Sequence, residues 1–306
     1  MVNFCTLFDS NYMSYGLTMY ESLKKNCTDF HLYIFAFDDK ACEDLKNLAL
    51  KHTTIISLQE FEDEELLKIK PGRSKGEYCW TCTPSTILYV LKNFAAPSCT
   101  YLDADLYFFS DPKILIEELA EKSVSIIPHR YEAKYDQSKI SGKYCVQFMT
   151  FKNNAQAMEV LKWWHNRCIE WCFAEPENGK FGDQKYLDDW LTRFDCVKEL
   201  QNLGGGVAPW NVLQYNFFTK NDKIFGVEKK SGKKFELIFF HFHGFKILDE
   251  KTISLTGSYK ITTRVRNLIY KKYTESMLNK KFKKSFRQIF PHRKNNKINI
   301  AAIWPT

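Results

Sequence analysis

Three short stretches of strand character in the first sixty residues, the largely apolar 2–8 and 30–37 and the β-branched 53–57, are each followed by a segment of helical character, and this alternation limits the architecture more than any other feature. Apolar runs this short, bounded by turn residues, read as buried strands. Asp9-Ser10-Asn11 forms a turn into a helix from Met13 to Leu23, and Asp38-Asp39 caps a second helix from Cys42 to Leu50. Residues 59–68 read as an acidic surface helix, Lys70-Pro71-Gly72-Arg73 as a loop, 84–94 as a helix and 99–103 as a fourth strand. Strands alternating with helices predict a parallel sheet covered by helices. In such sheets ligands bind beyond the carboxyl ends of the strands, where Asp9 and Asp103 fall.

The second half is less regular. Strands are expected at Val124 to Ile127, Val146 to Phe151 and Leu237 to Phe242, a long helix from Ala155 to Phe173, and a short helix from Gly182 to Trp190. Gly204-Gly205-Gly206 reads as a loop where backbone can approach a ligand closely. With 44% hydrophobic and 16% aromatic residues in 306, the chain can build a substantial core. No apolar run reaches the roughly 18 residues of a membrane span, and the N-terminus has no signal-peptide pattern. Ten cysteines without a secretion signal point to a reducing cytosol and free thiols. The net charge of +8 is unevenly spread. Residues 260–297 carry thirteen Lys or Arg against one acid, Glu275, a net +12 that leaves −4 for the rest.

Asp103 and Asp105 carry the chemistry. They sit inside an apolar run, Tyr101-Leu102-Asp103-Ala104-Asp105-Leu106-Tyr107-Phe108-Phe109, ahead of a helix start at Ser110-Asp111-Pro112. Carboxylates are costly to bury without a partner. A strand sends residues i and i+2 to one face, so the two charges would repel unless a cation lies between them. A hard divalent metal that keeps positions open for phosphate suits such a pair. A surface loop or helix cap is the plainer alternative.

The ordered set Asp9-Ser10-Asn11-Tyr12, Asp103-Ala104-Asp105, Gly182-Asp183-Gln184 and His241-Phe242-His243-Gly244 resembles the nucleotide-sugar glycosyltransferases of the GT-A fold, nearest to the family-eight type and related bacterial proteins. The resemblance covers roughly residues 2–250. It implies an α/β fold, a Rossmann-like mixed sheet flanked by helices over 1–255; beyond it the residue pattern itself reads as a basic amphipathic helical tail over 256–306. It implies Mn²⁺ or Mg²⁺ held by Asp103, Asp105 and His241, with His243 the rival of His241. It places the nucleotide sugar, a UDP-sugar by resemblance, against Thr6, Phe8, Asp9, Tyr12, Arg73, Asp103, Ala104, Asp105 and Gly205, and assigns catalysis to Asp183 and Gln184. The implied reaction is metal-dependent transfer of a hexose to a glycan or lipid-linked acceptor, in bacterial surface polysaccharide synthesis, with retention of configuration.

Several residues have plainer alternatives. Asp183 at a helix start can be an N-cap, and Arg73-Ser74-Lys75 can be a surface loop as readily as a donor contact. Asn202 through Asn211 can wall an acceptor pocket or be structural, and His129-Arg130 is a further candidate at a strand end. Two departures from the family pattern stand out. Trp80 takes the place of a common Arg, and the usual Lys-Pro-Trp after the histidine motif is reduced to Lys246.

Two other functions compete. Cys79-Trp80-Thr81-Cys82 before a helix has the spacing of a redox pair, or of half a zinc site with Cys168 and Cys172. The basic tail can grip nucleic acid, but Val265, Ile269, Tyr273, Met277, Leu278, Phe282, Phe286 and Phe290 recur at helical spacing up to Pro291. A helix both basic and amphipathic favours an anionic membrane surface. The expectation is a cytoplasmic enzyme, peripheral on the inner face of the membrane, that does not bind nucleic acid.

Overall fold

The computed structural model describes residues 1–249 and 252–278. Strands β1 (Val2–Phe8), β2 (Phe30–Ala36), β3 (Thr53–Ser57) and β4 (Ser98–Leu102) form a parallel block in the order β3-β2-β1-β4. Alternation along the strands sends Phe4, Leu32 and Ile34 into one core and Cys5, Leu7, Tyr33 and Phe35 into another. The helices Met13–Asn26 and Asp39–Leu48 cover the first face, and Lys75–Asn93 and Ala155–Glu170 the second. Burial on both faces is why β1 and β2 read as largely apolar runs.

Beyond β4 the sheet reverses direction. After the short β5 (Leu106–Phe108) come β6 (Val124–Pro128), β7 (Tyr144–Cys145), β8 (Phe148–Lys152) and β9 (Val197–Glu199). β8 runs antiparallel to both β4 and β6, and β6 also carries β7 antiparallel and β9 parallel. The parallel sheet expected from the alternation is therefore the first half of a mixed sheet. A small antiparallel sheet follows, β10 (Tyr215–Lys220), β11 (Lys223–Glu228) and β12 (Lys234–Glu236), and β13 (Phe239–His241) pairs with β5 so that His241 lies opposite Leu106.

Several boundaries differ from the sequence-based ones. The helix expected to begin at 84 begins at Lys75. Ser74 and Glu77 form a reciprocal capping box, with Glu77 accepting the Ser74 N–H at 2.8 Å. Pro84 lies inside the helix, where burial from Tyr78 to Leu91 outweighs the one hydrogen bond that its ring removes. The acidic stretch 59–68 is two short helices, Leu58–Phe61 and Glu64–Ile69, capped by Ser57 and Asp63. The long second-half helix stops at Glu170, and the stretch from 182 is a tight 3₁₀ segment, Gln184–Asp189, running into Trp190–Arg193.

The triple glycine does approach a backbone closely, but it is the chain's own. A Cβ on Gly204 would stand 2.0 Å from the Glu236 carbonyl oxygen. That carbonyl belongs to β12, and Gly204 itself accepts the Ile238 N–H at 2.9 Å. Neither side can retreat without breaking pairing. Gly204→Ala is expected to cost about 2–3 kcal/mol and to lower the melting temperature by roughly 5–10 °C, as read by thermal and urea denaturation.

In the expected tail, Val265, Ile269, Tyr273 and Met277 do share a face, but that face is buried. It joins Phe240, Phe242 and Phe245 in a third core, and Tyr273 stacks on Phe242 at 3.6 Å. A π turn, Arg266–Tyr270, brings Tyr270 into the same core. The apolar side of 263–277 is thus covered by protein and not free for a membrane. Phe282, Phe286, Phe290 and Pro291 lie outside the described residues. Among the described residues no helix is long and apolar enough to cross a membrane.

Candidate active site

Strand β4 ends at Leu102, so Asp103 and Asp105 are not strand residues. They occupy a turn into β5, with the Asp103 carbonyl accepting the Leu106 N–H at 3.3 Å. The turn still aims both carboxylates at one point, because β13 pairs with β5 and delivers His241 there. His241 Nε2 lies 3.0 Å from Asp105 Oδ1 and 3.8 Å from Asp103 Oδ2. One ligating atom from each of the three residues lies within 4.8 Å of the others. Two carboxylate oxygens and one imidazole nitrogen suit a hard to borderline divalent ion, Mn²⁺ or Mg²⁺. The His241 Nδ1 sits 2.9 Å from Gln147 Oε1, which leaves Nε2 facing the carboxylates, the arrangement of a metal-binding histidine. The donor set therefore fits the ion.

Electrostatics agree. Burial pushes the His241 imidazole down, but Asp105 outweighs it and holds the group well above its ordinary value. Burial likewise pushes Asp105 up, and the charge and hydrogen bond of His241, with the nearby His243, together more than reverse this. Asp103 is raised to about 6, by burial and by repulsion from Asp105, against the pull of His241. Without a metal, a proton on His241 supplies the cation that the two carboxylates require.

The three side chains lie in a cleft of about 610 Å³. Phe8, Asp9, Tyr12, Ala104, Asp183 and Gln184 line it as well. Asp9 spends its carboxylate on the turn, accepting the N–H groups of Asn11 and Tyr12 at 3.0 and 3.1 Å. Tyr12 is half exposed at the rim, its ring 4.9 Å from that of Tyr15. Asp183 is buried, and its side chain makes no N-cap bond. Burial and the nearby Asp103 charge raise it to about 7. His243 lines the cleft beside His241 but does not join the ligand cluster.

Three candidates lie elsewhere. Thr6 is buried within β1, and Gly205 gives its carbonyl to Arg130 at 2.7 Å. Arg73 turns away, its guanidinium 3.8 Å from the centre of the Phe173 ring and bonded to the Ile169 carbonyl. Its neighbour Lys75 is the sole Lys or Arg among the described lining residues. Of the pair His129-Arg130, Arg130 clamps the carbonyls of Leu200 and Gly205. His129 lines the cleft, and burial pushes it down to about 3, so it is neutral. Trp80, the departure from the family pattern, is a cleft wall packed against Gly182. Tyr131, Tyr259 and Gln147 had no local sequence signal beyond the polar character of Gln147 inside an apolar run.

The rival cysteine readings find no support in the geometry. Cys79 and Cys82 lie inside the helix Lys75–Asn93, not before it. Burial pushes Cys79 up to about 12 and Cys82 well above its ordinary value, the opposite of an activated thiol. All ten cysteines are free, and among the described residues none joins a metal-ligating group.

No family model matches the chain. Among curated proteins, YfnD of Bacillus subtilis (strain 168) is 33% identical over 279 residues, 89% of this chain and 87% of YfnD. The chain belongs to the YfnD family. YfnF of the same organism is 32% identical over 253 residues, 80% of this chain and 82% of YfnF. Both are described as uncharacterized proteins. The fold of this YfnD family member is also that of solved glycosyltransferases. The galactosyltransferase LgtC, in complex with donor and acceptor sugar analogues, aligns over 93% of this chain and 100% of its own, with 12% identity and a TM-score of 0.54. The bifunctional glycosyltransferase WbbM, in its apo form, aligns over 94% of this chain and 51% of its own, with 11% identity and a TM-score of 0.56. This YfnD family member has the GT-A fold.

Proposed function

We propose that the protein is a metal-dependent glycosyltransferase of the family-eight type. It moves a hexose from a nucleotide diphosphate, UDP by resemblance, to a glycan or lipid-linked acceptor in bacterial surface polysaccharide synthesis. The observation that carries this reading is the meeting of Asp103, Asp105 and His241 in one cleft just beyond the end of β4. The described lining residues include four aspartates, Asp9, Asp103, Asp105 and Asp183, against a single lysine, Lys75. An anionic diphosphate enters such a cleft favourably only together with a cation. Asp103, Asp105 and His241 hold that cation, which when bound supplies charge neutralisation to the departing diphosphate. Lys75, in the first turn of its helix, adds the remaining positive charge.

The other lining residues divide the cleft. Tyr12 at the rim offers a ring face to the nucleotide base, beside Asp9. Trp80 and Phe181, with ring centres 6.3 Å apart, border the donor sugar next to Asp183 and Gln184, which act on the reacting carbon with retention. Tyr131, Trp210 and Tyr259 form an aromatic wall for the acceptor. Trp210 is fixed there by its indole N–H, which donates to the His129 carbonyl at 2.9 Å. The protein works in the cytoplasm, and the basic residues of 256–306 attract it to anionic lipid by charge.

A thermal-shift panel of nucleoside diphosphates with and without Mn²⁺ tests the reading. One diphosphate with Mn²⁺ is expected to raise the melting temperature by roughly 5–10 °C at about 100 times its Kd, where either alone gives much less. No stabilisation by any diphosphate with Mn²⁺ or Mg²⁺ would refute it.

A further inference from the structure

Gln147 touches both sides of the ligand cluster. It lies between β7 and β8, is fully buried, and is not among the residues lining the cleft. Its main-chain carbonyl accepts the Asp103 N–H at 3.0 Å, at the start of the turn that carries both aspartates. Its side-chain Oε1 lies 2.9 Å from His241 Nδ1. Its other polar atom, Nε2, is buried with no hydrogen-bond partner. A buried amide left unpaired is destabilising, and its neighbours Val146 and Phe148 are apolar and buried. A search for stability alone would place an apolar side chain here.

We propose that Gln147 is a positioning residue that fixes the ring orientation and tautomer of His241 relative to Asp103 and Asp105. The proposal rests on the reading of those three residues as a metal site. When Nδ1–H donates to Gln147 Oε1, Nε2 is the nitrogen left toward the two carboxylates, and its lone pair would be free for an ion that displaces the proton there. Without that acceptor the imidazole keeps only weaker support such as the Cys145 thiol, and a fraction of the protein presents the wrong nitrogen or the wrong ring face. Outer-shell partners of metal-binding histidines typically contribute about 10–100-fold in metal affinity. Because the bond to Asp103 comes from the main chain, side-chain substitutions at Gln147 isolate the His241 contact.

The test is a Mn²⁺ titration of chelator-stripped, full-length protein, with free Mn²⁺ followed by electron paramagnetic resonance and no sugar donor present. Gln147→Leu is expected to weaken Mn²⁺ binding by about 10–100-fold, while its melting temperature in chelator stays close to that of the parent. Gln147→Glu keeps an acceptor oxygen at the same reach and is expected to bind Mn²⁺ at least as tightly as the parent. Gln147→Met, unbranched and of similar length, replaces Gln147→Leu if the latter does not fold. A folded Leu or Met variant with parental affinity would overturn the proposal, as would a Glu variant as weak as they are. Absence of Mn²⁺ binding by the parent itself would instead refute the metal reading on which the proposal stands.

Discussion

On the proposed function, Asp105→Ala is expected to lower sugar transfer and donor hydrolysis together by about a thousandfold or more, close to 4 kcal/mol of transition-state stabilisation, in a protein that remains folded. The loss follows from position. Asp105 Oδ1 is the carboxylate atom nearest His241 Nε2, and its removal reduces a three-residue donor set to Asp103 and His241. Retention of the fold follows from the same geometry. Asp103 Oδ2 lies 3.8 Å from the same nitrogen, so the imidazolium keeps a counter-charge. Asp103 then ionises more readily, because repulsion from Asp105 is one of the two causes that raise it to about 6. The Asp105 carboxyl is held below its ordinary value, so its own contribution to stability is present above about pH 4 and lost as the pH falls through the lowered value. A small loss of stability at pH 7 that vanishes in acid is therefore expected beside the large loss of turnover. Donor turnover, Mn²⁺ titration and melting curves at pH 7 and pH 3 measure all three. A folded variant with parental turnover would remove Asp105 from the chemistry.

How much of this was readable depended on whether a residue's surroundings come from its own neighbours in sequence. Strands β1 and β2 are buried on both faces, so their apolar runs sufficed to place them, and the half-buried edge strand β3 was marked by β-branched residues. Asp103 and Asp105 were conspicuous because charge inside an apolar run needs a partner, yet the local pattern did not separate a strand from the turn they occupy. The partner His241 is delivered by pairing of β13 with β5 across more than a hundred residues, and only the resemblance pointed to it. Tyr131 and Tyr259 are brought in by the fold with no local pattern, and Gln147, which meets His241 across 94 residues, had only its polarity inside an apolar run. Arg73 and Lys75 show the limit at short range. They are two residues apart and chemically alike, but the N-cap Ser74 falls between them, and one turns out to Phe173 while the other lines the cleft. The Ser74–Glu77 capping box was visible in the sequence and marks that boundary better than Pro84 does.

Asp183→Asn is expected to raise the melting temperature at pH 8 and to abolish most turnover, and this pairing separates a working carboxylate from a structural one. Asp183 is buried in the cleft wall, and burial together with the Asp103 charge lifts it to about 7. Between roughly pH 4 and 7 the folded protein therefore keeps a proton that the unfolded chain has released. Stability falls as the pH rises through that interval and levels off above it. Asparagine has no proton to lose, so the variant should match the parent near pH 4 and exceed it at pH 8 by about 2–4 kcal/mol. Turnover runs the other way. On the proposed function, a sugar carbon that parts from its diphosphate gains positive charge, and an ionised Asp183 beside it would stabilise that charge, whereas a neutral amide would not. Loss of one such preorganised group costs about 100–1,000-fold. The parent's rate should climb with pH through the ionisation of Asp183, and the residual rate of the variant should lack that inflection. Added Mn²⁺ offsets the Asp103 charge, so it should move the parent's inflection to lower pH and narrow the stability gap between the two proteins. An Asn variant with parental turnover would exclude Asp183 from catalysis. One whose stability profile tracked the parent from pH 4 to 8 would show that Asp183 is not the group that titrates there.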